Sequence, residues 1–173
     1  CRLMNKLLRD LTDYSMSDQL TKQRSDLCNL LRRAYLSCLP LTEGTNKTLT
    51  YTSRVSCAYM PLDSPKMMEA LLNLIVNALD AISDNGNVQI ILTKSNEQFV
   101  VSIIDDGCGI APKQLLTIFH PFTTTKPDGT GLGLPVAKRI IEGHGGHIRV
   151  SSAPNQGATF TFLLPCSFSS DKK

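Results

Sequence analysis

The chain has 173 residues, 42% of them hydrophobic, and 18 Lys and Arg against 15 Asp and Glu give a net charge of +3. This is enough apolar material for one packed domain, and the dispersed charges give no basic stripe, so nucleic acid is not indicated as a partner. Six irregularly spaced cysteines without a C-x-x-C pair, no signal peptide and no run near the roughly 18 apolar residues of a membrane span point to a reduced, cytoplasmic protein.

The first segment, CRLMNKLLRDLTDYS, places Leu3, Met4, Leu7, Leu8, Leu11 and Tyr14 at helical spacing with a heptad flavour. It reads as the end of a dimerising helix within 1–20, and a start on Cys1 inside a helical pattern suggests a piece of something larger. A polar stretch leads to an amphipathic helix near 25–39, with Leu27, Leu30, Leu31, Ala34, Tyr35, Cys38 and Leu39 on one face and Pro40 ending it. TLTYTSRVSCAYM alternates β-branched and aromatic residues as one or two strands.

A helix follows over about 66–83, then two strands, NVQIILTKS and EQFVVSIID, with a tight turn near Asn96. A glycine turn, a short helix around 112–118 and a loop rich in Thr, Pro and Gly precede a helix from about 131 to 142. GGHIRVSSA and ATFTFLLP close the domain as an antiparallel pair around PNQG, and 167–173 read as a frayed tail. Two helices on one face of a mixed, largely antiparallel sheet make an α+β two-layer sandwich over 21–166.

Three features carry chemistry. On the 66–83 helix Glu69, Asn73, Asn77 and Asp80 fall within about 80° of one another on a surface otherwise built of Met, Leu, Ile, Val and Ala. Such a stripe faces solvent or a ligand, and an amide oxygen is a hard neutral donor suited to Mg²⁺. DDGCGI, directly after a strand, supplies Asp105 as an acceptor for an amino group and Gly107 and Gly109 for a tight turn, although D-x-G-x-G also marks ordinary turns. GTGLGL runs into a helix, where free backbone N–H groups and the helix dipole favour phosphate, yet it is neither a Walker loop nor a dinucleotide fingerprint.

The three in this order, over about 60–163, resemble the catalytic ATP-binding domain of bacterial two-component sensor histidine kinases, in the superfamily of gyrase, Hsp90 and MutL ATPases. NLIVNA at 73–78 is similar to that family's N box, DDGCGI to its first glycine box, IFHPFTTTK at 118–126 to its F box and GTGLGL to its second glycine box. RIIEGHGGHI at 139–148 and QGATF at 156–160 complete the likeness, which is greatest to the nitrogen-regulatory and AtoS-like branch.

The resemblance implies the Bergerat fold, with ATP and Mg²⁺ bound. By carry-over Asn77 coordinates the metal and Asn73 supports it, Asp105 binds the adenine amino group, Gly107 and Gly109 make room for the base, and Ile110 completes that turn. Gly129, Thr130, Gly131, Leu132, Gly133 and Leu134 form the lid, Lys126 neutralises phosphate charge, Thr159 lies beneath the adenine, and Phe119 and Phe122 anchor the lid.

Two departures matter. Gyrase-like ATPases place a basic glutamate where this chain has Asn73, so ATP is expected to be kept for transfer instead of hydrolysed. Many histidine kinases have a lysine where Asp80 stands, which leaves charge stabilisation to Mg²⁺, Lys126 and backbone amides, with Asp80 a candidate holder of a metal-bound water. His120, His144 and His147 are the only histidines, and none sits on the first helix before an acidic residue.

The phosphoacceptor is therefore expected on a dimerisation domain upstream, in a homodimeric kinase that passes the group to a response-regulator receiver domain. Two alternatives are an anti-sigma-type serine kinase and a nucleotide-responsive binding module without transfer.

Overall fold

The computed structural model describes residues 20–126 and 129–166. The expected dimerisation-helix remnant, apart from Leu20, and the tail at 167–173 lie outside the described residues. A five-stranded sheet has the order β2-β4-β5-β7-β6, formed by β2 (Thr48–Ser53), β4 (Asn87–Ser95), β5 (Gln98–Asp105), β6 (His147–Ser152) and β7 (Ala158–Pro165). Among the described strands only the β2–β4 pairing is parallel. A separate antiparallel ribbon pairs β1 (Gln23–Asp26), where the polar stretch was expected to pass straight into a helix near residue 25, with β3 (Tyr59–Leu62), at the end of the expected strand region.

Among the described residues the helical layer holds three long helices: α1 (Leu27–Cys38), α2 (Ser64–Ala81) and α4 (Gly133–Gly143); α3 (Pro112–Leu115) is one turn. The expected pair of helices thus becomes a trio, because the apolar face of α1 packs against α2 and β2. Alternation along the central strands sends Val88, Ile90 and Leu92, then Phe99, Val101 and Ile103, then Phe160, Phe162 and Leu164 into one core with Leu71, Leu74 and Ile75 of α2. Burying each such side chain stabilises the fold by roughly 1.5–3 kcal/mol.

The start of α2 is fixed by Asp63, whose carboxylate accepts from the Lys66 N–H at 3.1 Å, with Pro65 in the first turn. The other oxygen of Asp63 accepts from the Thr21 N–H at 2.9 Å, and its own backbone N–H donates to His144 Nε2 at 2.9 Å. His144 Nδ1 lies 2.7 Å from the Ile140 carbonyl. Both ring nitrogens of this buried imidazole are engaged, and burial lowers its pKa below 6.5. His144 is therefore a neutral structural joint between α2, α4 and the entering chain.

Candidate functional site

Asn73, Asn77 and Asp80 share the face of α2 that looks towards the segment before α4. Asn73 abuts the first residue of α4: a Cβ built on Gly133 would lie 3.5 Å from Asn73 Oδ1. Lys126 crosses from its loop to α2, where its ammonium donates to Asn77 Oδ1 at 3.0 Å and to Asp80 Oδ2 at 2.9 Å. Glu69, a turn before Asn73, is instead paired with Lys66 at 3.1 Å, so the four-residue stripe divides into a site half and a surface ion pair.

Asp105 ends β5 and is 5% exposed. Its Oδ1 accepts from the Gly107 N–H at 3.0 Å and the Ala158 N–H at 3.2 Å. Among the described residues no buried side-chain oxygen lacks a partner, so Oδ2, which makes neither bond, is open to solvent or ligand. Burial raises the Asp105 pKa, the two amides pull it down and neighbouring Asp106 adds to the rise.

This arrangement makes Asp105→Asn informative. Oδ1 must remain an oxygen to serve two N–H donors, which forces the amide nitrogen into the place of Oδ2, where the adenine amino group expected from the resemblance would meet a donor. ATP affinity is expected to fall about tenfold by calorimetry. The thermal midpoint at pH 7 should stay level or rise, because a buried charge is gone.

The turn after Asp105 is stapled on both sides. The Cys108 N–H donates to the Ala81 carbonyl at the end of α2, and the Asn155 and Gly157 N–H groups donate to the Cys108 and Gly107 carbonyls. A Cβ on Gly107 would lie 2.4 Å from the Ala81 carbonyl oxygen, and one on Gly109, at φ +68°, would lie 2.0 Å from that of Ala153. These glycines make room for the protein's own backbone. The Ile110 N–H donates to Ser152 Oγ at 2.9 Å, and that hydroxyl donates to the Gly157 carbonyl at 2.6 Å. Ser152 was missed at the sequence level, although a serine at an inward position beside a glycine turn is the available signal.

Two expectations need correction. Thr159 pairs with Ile104 and Ser151, all on the sheet face away from the helices, whereas Ala158 pairs with Asp105 on the helix side. Strand alternation therefore puts Ala158, not Thr159, beside the site, and the core position of Phe160 already implied this. Phe119 does pack against the core, with the Lys138 ammonium 5.5 Å from its ring centroid. Phe122 is 61% exposed and anchors the loop through its backbone, donating to the Gly131 carbonyl at 3.0 Å.

In the second glycine box Gly129, Thr130 and Gly131 lead into α4, with Leu132 buried and Leu134 packed on the core. The oxygens of Asn77 and Asp80 fit a hard cation shared with phosphates and water, and among the described residues no three His, Cys, Asp or Glu gather into a metal cage. No helix among them is long and apolar enough to cross a membrane.

The family profile described as histidine kinase-, DNA gyrase B- and HSP90-like ATPase matches residues 62–167. The histidine-protein kinase AtoS of Escherichia coli K12 is 37% identical over 94% of this chain, which spans 27% of that protein's length. Among solved structures, full-length ShkA in complex with AMPPNP is 26% identical with a TM-score of 0.82, covering 95% of this chain and 35% of its own. The histidine kinase ThkA in complex with the response regulator TrrA is 25% identical with a TM-score of 0.80, covering 94% of this chain and 47% of its own.

Proposed function

Because the chain belongs to the histidine kinase-, DNA gyrase B- and HSP90-like ATPase family, we propose that it binds magnesium-ATP and donates the γ-phosphoryl group to a histidine outside this sequence. That histidine would lie on the dimerisation domain of a homodimeric, cytoplasmic or membrane-tethered kinase, and a response-regulator aspartate would take the group from it. The observation that carries the reading is the Asn77 amide oxygen holding a cation, the Lys126 ammonium, at 3.0 Å beside the glycine-rich entry to α4. The likeness to ShkA with AMPPNP, an ATP analogue, and to ThkA with a response regulator supports the ligand and the partner.

In this reading Asn77 supplies the protein oxygen to Mg²⁺, which would neutralise the phosphates and orient them. Asn73 supports that position from one turn earlier. Asp105 Oδ2 accepts from the adenine amino group, while Gly107, Gly109 and Ile110 hold the turn that aims it. Lys126 and the backbone from Gly129 to Leu134 meet the phosphates, and these groups stabilise charge without forming covalent bonds.

Neither Asn73 nor Glu69 serves as a hydrolytic base. An amide cannot take a proton, and Glu69 lies a further turn from Asn77, on the half of the stripe that pairs with Lys66. Bound ATP is then kept for transfer. His144 cannot be the acceptor, since it is buried with both nitrogens engaged.

Supplying the chain with ATP labelled at the γ-phosphate and a separate histidine-bearing dimerisation domain tests the proposal. Acid-labile label on the added domain is expected. Acid-stable label would mean a serine kinase, and tight nucleotide binding with no label at all would mean a binding module.

A further inference from the structure

Lys126 reaches two oxygens of α2 at once, and they differ in kind. Asn77 Oδ1 is a neutral amide oxygen at 3.0 Å, whereas Asp80 Oδ2 is a carboxylate oxygen at 2.9 Å. Three residues apart on a helix, they present neighbouring acceptors. Asn77 alone would hold an ammonium only as well as water does. Asp80 supplies the charge that makes the contact a charge-assisted pair.

The carboxylate is otherwise out of place, since a free anion on the face of α2 that meets a triphosphate would repel it. Lys126 is the partner that cancels this charge. Side-chain exposures of 42% for Lys126 and 53% for Asp80 place the pair at the surface, where such contacts open easily.

We propose that Asp80 is a positioning residue which draws the Lys126 ammonium onto Asn77, so that without nucleotide a protein cation occupies the oxygen otherwise offered to the metal. Loading the site then exchanges one cation for another. Asn77 passes from ammonium to metal, the metal's charge takes over opposite Asp80, and the released ammonium becomes available to the phosphoryl oxygens. No carboxylate faces the phosphates uncompensated at either stage. This rests on the reading of Asn77 as the metal-facing residue.

Titration of Mg²⁺-ATP into the chain as it stands, Asp80→Asn, Lys126→Ala, the double variant and Asp80→Glu tests it. With the Asp80–Lys126 contact removed, competition for Asn77 is relieved. Asp80→Asn should favour binding about threefold more while Lys126 is present than in the Lys126→Ala background. Asp80→Glu, which keeps the charge, should return affinity towards that of the parent chain.

An equal effect of Asp80→Asn in both backgrounds would show that Asp80 acts through its own charge alone. Binding weakened by the same factor in both would show that it holds the metal or its water without acting on Lys126. Either result overturns the exchange while leaving Asn77 as metal ligand intact, whereas a parent chain that binds no Mg²⁺-ATP overturns both.

Discussion

Asn77→Ala is expected to lower affinity for ATP about 100-fold in Mg²⁺ while changing it less than about threefold in EDTA. The side chain is half-buried on α2 and its oxygen already faces a cation at 3.0 Å. A methyl group offers neither a lone pair nor a dipole there. The helix should tolerate the change, since alanine is the strongest helix former and Leu74, Ile75, Ala78 and Leu79 carry the packing around it. Calorimetric titration under the two conditions separates a metal site from a general binding defect. Equal losses with and without Mg²⁺ would assign Asn77 to pocket shape, and no loss would remove it from the site.

The second large effect is expected from Gly157→Ala, a substitution outside the helix and both glycine boxes. Gly157 has φ +69°, and a Cβ there would lie 1.9 Å from the Asp105 carbonyl oxygen and 2.8 Å from the Asp106 Cα. Both neighbours are backbone, so no side chain can swing aside. Moving this turn would strain the Gly157 N–H bond to the Gly107 carbonyl and the Ser152 bond to the Gly157 carbonyl.

A cost of about 3 kcal/mol follows from left-handed strain plus the displaced backbone. That corresponds to a fall in thermal midpoint of roughly 6–12 °C for a domain of this size. Scanning calorimetry reads the fall directly, and ATP affinity should drop with it because the Asp105 turn is shifted. A midpoint within about 2 °C of the parent would mean that the two turns are not mechanically joined.

Much of the site was legible because its signals are local. Asn73, Asn77 and Asp80 share a face by helix geometry alone, and the glycine turns announce themselves wherever a side chain has no room. The order of the boxes carried the family before any contact was known. The strand β1 was not legible, since QRSD has no apolar alternation and is a strand only because β3 pairs with it. Phe122 was equally opaque: its aromatic ring suggested a core anchor, and the positive φ of 65° that leaves it exposed belongs to a turn closed by Gly131.

The sequence by itself determined the α+β class, the spans of the long helices and sheet strands, the family resemblance and the candidate residues on each element. These follow from periods of 3.6 and 2 and from the steric demands of glycine, which act within a few residues. Only the tertiary structure decided that Lys126 meets Asn77, 49 residues away, that the Asp105 carboxylate holds the amide of Ala158, 53 residues on, and that Thr159 faces the opposite side of the sheet. Such contacts depend on strand register and on how α2 and α4 pack together, and no local rule of the chain specifies either.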